Sequence, residues 1–528
     1  MSRYIGLSTI LLWPAAALAL IALLGSLILI VPHDFWWHLK IGEVISRDYR
    51  IPTVDHYSFT RAGAPFVYQS WLSELILYLI YQAGGLSLIV IVRNVLLVAT
   101  YAILAWQAYR RSGSWRLAAL GVLAAAAVAF NNWTIRPQSF SWLPFAICWT
   151  VLAGYSEGWL SRRWLVALPA IELVWANLHG AFILGLALTA LVAVGETLVG
   201  WFRLQTSGRN GSLRFETRNP VLRFIAPLWL TLAAMIAATL VNPYGPGLYS
   251  YVRTLLSNPS VRQLVIEWQP PSYKDPIGQL FFLSLASMLL LWIRFPAKRR
   301  LSDVLVLLAF TWLALGGIRN IIWYGMIAGP LLAEWLARPR ATPRPQRREL
   351  VLQRRINLVL AVLLFMPAIL VQPPFRSSAP IPTVFSGNTA PEPEAALVTP
   401  DTPLAATAYL RKHRVGDRLY HEMSYGSYLI WAFGGEIPVF ADPRVELYPL
   451  SLWQDYRRIA QGCDYTALLE KYQIDALLLD RQRQARLLER LVDDTAWEKV
   501  YEDDHAVIYR RSGLSASQAG NCEEEPKP

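Results

Sequence analysis

The chain is poor in cysteine, poor in charge and free of the commoner nucleotide and zinc signatures. Its 528 residues include only Cys148, Cys463 and Cys522, too few for a disulfide scaffold or a thiolate metal cluster. Cys148 sits in an apolar run; Cys463 and Cys522 are readable either as an extracytoplasmic pair or as two free thiols. No phosphate-cradling Gly-x4-Gly-Lys-Ser/Thr loop, Rossmann glycine fingerprint or His-Glu-x-x-His helix occurs, which removes the obvious soluble nucleotide sites and zinc hydrolases. No pair of Gly/Pro-broken apolar segments marks an inverted repeat, the usual transporter cue. Charged residues make up only 16% of the chain, against 54% hydrophobic. A soluble protein of this length cannot hide that much apolar surface in one core.

What is there instead is a series of long apolar runs. Ile5 to Val31 is the first, and it reads as a retained span rather than a signal peptide, being long for an h-region and lacking a small-x-small cleavage site before Asp34. Taking roughly 20 apolar residues per span, the sequence predicts eleven, centred near Leu18, Leu97, Ala125, Ile147, Ala170, Leu191, Leu232, Ser287, Ala309, Ala328 and Val362. The net charge of +12 comes from Lys and Arg in alternate short loops: Arg3, Arg110-Arg111, Arg116, Arg162-Arg163, Arg203 to Arg223, Lys298 to Arg300 and Arg338 to Arg355. That is a topology signal that puts those loops and the N-terminus in the cytoplasm. A nucleic-acid patch is not needed to explain it, because the Arg338–Arg355 stretch lies between two spans and suits anionic lipid. The 22 Trp and 24 Tyr fit the aromatic belts of a membrane interface. The expectation is a multi-pass protein of the inner (plasma) membrane, with its C-terminal part periplasmic or extracellular.

The chain then divides into a transmembrane domain, 1–372, with a long first extracytoplasmic loop, 32–85; a Pro/Ser/Thr/Ala-rich linker, 373–402; a small α/β domain, 403–511; and a disordered tail, 512–528. In the α/β domain the pattern predicts helices near Ala405–His413, Tyr425–Ala432, Leu452–Ile459 and Tyr465–Tyr472. Strands are expected near Arg418–Tyr420, Pro438–Ala441 and Ile474–Leu479, with a closing hairpin at Trp497–Tyr501 and His505–Arg510.

Residues able to do chemistry gather in the expected outer loops. His33 to Glu43 (HDFWWHLKIGE) begins where the first run ends. As a helix it puts Phe35, His38, Leu39 and Gly42 on one face and Trp36, Lys40 and Glu43 on another, predicting an interfacial helix with Trp rings at headgroup depth. Asp34 would stand at its N-terminus, where a capping role is as natural as a chemical one. Asp55 and Glu74 share the same loop. Arg136, Asn177-Leu178-His179-Gly180, Asn242-Pro243-Tyr244-Gly245 and Arg319-Asn320 mark later span ends. Asn-Pro and Pro-Tyr-Gly are turn formers, and a lone His in a tight loop is often a hydrogen-bonder only. Taken together, Arg136, His179 and Arg319 fall at one depth, where cations can hold a lipid phosphate. Arg93 lies inside the second span, where a charge is costly and usually functional unless it snorkels out.

This layout resembles the GT-C class of integral-membrane glycosyltransferases, which use polyprenyl-phosphate-linked sugars and include protein mannosyltransferases and lipid A aminoarabinose transferases. The resemblance is carried by Asp34–Glu43, Trp175–Gly180, Asn242–Gly245 and Tyr425–Trp431 and points to a bacterial branch of the class. One departure is that a single Asp34, not an adjacent acidic pair, heads the first loop. The resemblance implies an α-helical polytopic fold of about eleven spans with a C-terminal extracytoplasmic α/β domain. It implies inverting transfer of a sugar from a polyprenyl phosphate to a glycan, lipid or protein acceptor. Asp34 would be the general base, with Asp55 second. Phosphate or substrate contacts would come from Arg136, His179, Arg319 and Lys40, with His38, Glu74, Arg93, Asn177, Asn242, Tyr244 and Asn320 around them. Neither a cofactor nor nucleic acid is expected, although Asp34 and Asp55 leave a two-carboxylate divalent-metal site open. Two other readings stay open: a lipid-linked-sugar transporter, and a non-catalytic scaffold that binds glycan.

Overall fold

Long apolar runs form helices because each backbone hydrogen bond is then satisfied within its own segment. In the computed structural model this holds at all eleven expected centres. The structure describes residues 8–208, 218–295, 300–337, 351–372 and 395–512. In chain order the helices are α1 (Leu12–Leu27), α2 (Phe35–Asp48), α3 (Trp71–Ser112), α4 (Trp115–Ala129), α5 (Trp142–Ser156), α6 (Ala167–Leu178), α7 (Ile183–Gly208), α8 (Arg218–Thr239), α9 (Gly247–Ser257), α10 (Pro259–Leu264), α11 (Pro276–Arg294), α12 (Leu301–Leu315), α13 (Ile321–Leu336) and α14 (Val351–Leu370). Five more follow: α15 (Leu404–Lys412), α16 (Met423–Phe433), α17 (Leu450–Ala460), α18 (Tyr465–Lys471) and α19 (Ala485–Leu491). Seven helices among the described residues are long and apolar enough to cross a membrane. The rest of the expected set is shorter: α6, at 12 residues, rises only about 18 Å, less than the hydrocarbon core. Most of the expected 373–402 linker, nearly all of the expected 512–528 tail, Cys522, and parts of the basic stretches near 203–223, 298–300 and 338–355 lie outside the described residues.

The chain forms two compact units. One comprises Met1–Ile28, Ser87–Ser250 and Ile266–Ala379; the other comprises Leu29–Leu86, Tyr251–Val265 and Pro380–Pro528. The boundary passes through α3, just after Gly84 and Gly85, where the helical backbone is interrupted and Gly85 has φ +61°. Only glycine adopts that conformation cheaply.

In the first unit α4 and α13 form the most extensive helix pair. Gly121, Gly325 and Gly329 let the two backbones touch; a methyl group built on Gly329 would lie 2.6 Å from the Gly121 carbonyl oxygen. Small residues serve membrane helices this way because lipid is as apolar as a leucine side chain, so close packing has to replace hydrophobic drive. Elsewhere in the unit Arg111, fully buried, joins Asp303, Glu334 and Glu157 at 3.0, 2.8 and 2.9 Å. These partners come from α12, α13 and the end of α5.

The second unit contains a four-stranded sheet of β1 (Leu419–His421), β2 (Ala476–Asp480), β3 (Trp497–Glu502) and β4 (Ala506–Arg511). Its order is β1-β2-β4-β3, with β1 and β2 parallel and the other pairs antiparallel. β2 is buried throughout, as its unbroken apolar sequence requires. The expected strand at Pro438–Ala441 does not form. Val439 instead makes single bridges to Leu419 and to Ser58 of the first loop, and its amide and carbonyl bond Tyr57 and Phe59. Helix α19 was not foreseen.

The first loop packs with the C-terminal residues, and α2 lies against α16. This corrects the expectation that Trp36 and Trp37 sit at headgroup depth. Both are buried, and Trp36 meets Tyr428 and Trp431 at ring-centroid distances of 5.0 and 6.4 Å. The aromatic partners of α2 are protein side chains.

Candidate active site

The first unit carries Arg136 and Arg319 at the turns that follow α4 and α12, and His179 at the turn that follows α6. Arg136 precedes a 3₁₀ turn, Pro137–Ser141, in which proline sits at the first position, where it is pre-set for a helical start. Arg136 Nη1 bonds Glu267 Oε2 at 2.7 Å. Arg319 belongs to the 3₁₀ turn Ile318–Asn320, which is tied down by the Ile318 amide donating to the Gln269 carbonyl at 3.0 Å. Its guanidinium lies over the Trp268 ring at 4.6 Å and reaches Gln138 Oε1 at 3.4 Å.

His179 lies between the two arginines electrically. Its Nδ1 accepts from the Ala181 amide at 3.1 Å and lies 3.2 Å from Ser141 Oγ. That hydroxyl in turn accepts from Trp175 Nε1 at 2.8 Å. With Nδ1 an acceptor, the ring hydrogen resides on Nε2. Burial first, then the charges of Arg319 and Arg136, lower the His179 pKa to about 3. The ring is therefore neutral, a donor rather than a cation.

The remaining candidates of this unit build the frame. Asn177 Nδ2 donates to the Leu173 and Val241 carbonyls, both at 2.9 Å, joining α6 to the end of α8. Asn242 shapes the turn ahead of Tyr244: its Oδ1 accepts from the Tyr244 amide at 2.7 Å and its Nδ2 donates to the Thr239 carbonyl at 2.6 Å. Asn320 Nδ2 donates to the Leu313 carbonyl at 3.3 Å. Arg93 is wholly buried and donates from Nη2 to the Gly25 carbonyl at 2.6 Å, at the C-terminal end of α1, where helix dipoles favour a cation. It does not snorkel.

The second unit holds the carboxylates. Asp34 is half-buried and immediately precedes α2. His38 Nδ1 and Glu74 Oε1, both buried, are 2.8 Å apart. Lys40 pairs with Glu43 one turn on, at 2.9 Å. Asp55 is fully buried, and both its oxygens are in use. One accepts from the Tyr57 amide and from Arg444 Nη2 at 2.7 Å; the other accepts from the Ser58 amide and hydroxyl. Arg444 also bonds Asp442 through Nε and Nη2 at 2.8 and 2.7 Å and Tyr68 Oη at 3.1 Å. Burial alone would raise the Asp442 carboxyl, but Arg444 and the Tyr448 hydroxyl outweigh it and hold it below the usual carboxylate value.

Sequence reasoning passed over Arg444, Asp442 and Glu446 because nothing marks Asp-Pro-Arg-Val-Glu as a motif. The half-buried Glu446 accepts from Tyr251 Oη at 3.3 Å. Its carboxyl is pushed up by burial and by the charge of Asp34, so these two carboxylates feel each other. Glu267 and Trp268 were missed for the same reason: a partner becomes visible only once the turns are folded.

Among the described residues one trio, Glu157, Asp303 and Glu334, has the spacing of a metal site, with its ligand atoms all within 4.8 Å of one another. The buried Arg111 guanidinium already binds all three. Because both Asp55 oxygens are engaged, Asp55 suits the anchoring of Arg444 better than a share in a two-carboxylate cation site with Asp34.

No protein-family model matches the chain, and no curated protein matches its sequence. Solved structures share its architecture, among them the following two. The oligosaccharyltransferase of Archaeoglobus fulgidus in the apo form aligns over 97% of this chain and 75% of its own, with 12% identity and a TM-score of 0.51. ArnT from Cupriavidus metallidurans in the apo state aligns over 94% of this chain and 96% of its own, with 15% identity and a TM-score of 0.50. The likeness shows the fold, one shared with the oligosaccharyltransferase and with ArnT: a helical membrane protein with a small C-terminal α/β sheet.

Proposed function

We propose that this protein transfers a sugar, with inversion, from a polyprenyl-phosphate donor to an acceptor outside the cytoplasm, the acceptor being a glycan, a lipid or a protein. The observation that carries the reading is that Arg136, bonded to Glu267, and Arg319 both act on a neutral His179. Such a cluster suits a phosphate that passes from a monoanionic diester to a dianion as the glycosidic bond breaks, the added charge being stabilised by fixed cations. The GT-C fold supports the same reading.

In the reaction the acceptor hydroxyl or amide attacks the anomeric carbon from the face opposite the phosphate. The bond from that carbon to the phosphate oxygen breaks, and the pair of electrons leaves with the lipid phosphate. The acceptor's proton passes to a carboxylate. We assign this role to Asp34, which is half-buried and stands immediately ahead of α2. Asp55, the second candidate, spends its oxygens on Arg444, Tyr57 and Ser58, and acts in this reading as an anchor. Arg136 and Arg319 hold the phosphate, His179 offers an Nε2 hydrogen, and Asn177, Asn242 and Asn320 shape the turns. His38, Lys40, Glu74 and Tyr244 are proposed as substrate contacts, and Arg93 as part of the frame through its bond to the Gly25 carbonyl. No step needs a cofactor.

The test uses the full chain in proteoliposomes with undecaprenyl-phosphate-linked hexoses and pentoses and mixed envelope lipids and glycans as acceptors. The wild type transfers label and liberates undecaprenyl phosphate; Asp34→Asn, equally well folded, does neither. Full transfer by that variant removes Asp34 as base. Movement of intact donor across the bilayer without bond cleavage would replace the enzyme by a transporter.

A further inference from the structure

A tight turn joins α17 to α18, and two left-handed residues shape it: Gly462 has φ +71° and Asp464 φ +47°. The Gly462 and Cys463 amides donate to the Ile459 and Arg458 carbonyls at 2.9 and 2.8 Å. Cys463 is thereby fixed on the turn. It is half-buried and disulfide-bonded, whereas Cys148 is a buried free thiol. The chain has one further cysteine, Cys522, which lies outside the described residues. The turn also lies against α19. A methyl carbon built on Gly462 would stand 3.0 Å from Arg490 Cγ and 3.2 Å from the Arg486 carbonyl oxygen. Arg458 pairs with Asp464. Arg486 and Arg490 are exposed, and among the described residues neither is bonded to a carboxylate. Standing four positions apart on one helix, they repel each other and favour an anion beside them.

We infer that Cys463 is bonded to Cys522, and that the bond docks the acidic run Glu523-Glu524-Glu525 on the Arg486 and Arg490 face of α19. The run follows Cys522 directly, so the bond holds all three carboxylates within about 10 Å of Cys463. That is one Debye length at moderate salt, the range over which exposed charges attract. The tail is long enough. Ser512, the last described residue, donates its amide to the Ala496 carbonyl at 2.7 Å, just past α19. From Ala496 back to Arg490 the chain spans at most about 22 Å, while Ser512 to Cys522 reaches about 33 Å when extended. Exposed ion pairs are individually weak, so the covalent bond holds the tail and the charges bias its closure. In that closure the two thiols become one disulfide, and their two hydrogens and two electrons pass to a disulfide oxidant of the envelope, which leaves as its dithiol. This chemistry belongs to oxidising compartments, the side on which the charge pattern of the sequence puts the α/β domain. The inference goes beyond the transfer reaction and does not depend on it.

The test uses the full chain, purified in detergent from bacterial membranes with free thiols blocked by N-ethylmaleimide, then digested with trypsin without reductant. Mass spectrometry finds peptides 459–471 and 512–528 joined, and separate after dithiothreitol. The reduced fraction is next followed in glutathione buffers of graded ratio. Arg486→Gln with Arg490→Gln makes the bond easier to reduce, as does Gln at Glu523, Glu524 and Glu525 together. Each set moves the midpoint ratio about twofold to tenfold, as loss of exposed ion pairs implies. Combining the two sets moves it little further, and Arg414→Gln, at an exposed arginine of another turn, leaves it in place. Maleimide on both cysteines overturns the pairing, as does a bond from Cys463 to a second chain. A midpoint unmoved by either set of substitutions overturns the docking of the acidic run. None of these readouts uses sugar transfer, so failure here leaves the proposed reaction standing, and an inactive transferase leaves this inference standing.

Discussion

The Asp55 carboxylate and the Arg444 guanidinium, 389 positions apart, meet at 2.7 Å in a fully buried ion pair. Asp442 makes the second leg, and the rings of Trp37, Tyr57 and Phe66 stand 5.4–5.8 Å from the cation. Removing one partner of such a buried pair costs about 3–5 kcal/mol, because the other charge stays behind. Arg444→Met is expected to destabilise by that order, seen as an early melt in detergent-solubilised protein. Asp55→Asn leaves Arg444 with Asp442 and should cost less. Equal stability of Arg444→Met and wild type would show the cluster to be dispensable.

The same cluster fixes a pH dependence. Asp442 is held below the ordinary carboxylate value in the folded state, so the unfolded chain binds its proton more readily. A depressed carboxylate contributes stability that is fully present above the unfolded value, about 3.9, and is lost as pH falls through the folded one. Thermal melts from pH 7 down to 3 should therefore show a loss below about pH 4 that shrinks in Arg444→Met. A wild-type melting point flat across that range would contradict the assignment.

The helices were legible because apolar runs report burial in lipid directly, and each of the eleven expected centres falls in a helix. The sheet was largely legible too, since Ala476–Asp480 is apolar throughout and Trp497–Arg511 carries a turn between two alternating segments. Pro438–Ala441 misled because a short apolar run does not say what it pairs with; Val439 bonds the first loop instead. The candidate site was legible where one residue type carries the signal, as with Arg136 and Arg319. It was illegible where the signal is a pairing across hundreds of positions. Ser427 shows this: its stretch, Tyr425–Trp431, stands out in the sequence, but its 3.0 Å contact with the Trp37 amide, 390 positions away, does not.

Close packing between α4 and α13 can be probed at a single atom. Gly329→Ala adds a methyl that would lie 2.6 Å from the Gly121 carbonyl oxygen and 2.9 Å from the Ala125 methyl. Overpacking of this kind costs about 1–3 kcal/mol. The variant should melt several degrees early, whereas Gly158→Ala, with nothing within 4 Å of the added carbon, adds no clash and only the backbone strain of φ +76°. Equal packing tolerance at Gly329 and in a lipid-facing position such as Leu283 would remove the close contact as a source of stability.

The pairing of Arg136 with Arg319 makes a prediction about charge rather than shape. Each arginine should add to the affinity for undecaprenyl phosphate, measured by titration in nanodiscs. Arg136→Ala and Arg319→Ala should each weaken binding roughly tenfold or more, as loss of a charge-assisted bond to an oxyanion does. Arg319→Lys should recover only part, because an ammonium cannot keep both the stack on Trp268 and the bond to Gln138. His179 should behave differently. Its pKa is lowered to about 3 by burial and by the same two arginines, so it stays neutral through pH 5–8 and takes up no proton there. Binding by wild type and by His179→Asn should follow parallel pH dependences over that range. A rise in affinity below pH 6.5 confined to wild type would mean that His179 becomes charged when phosphate arrives, making it a third cation at the site.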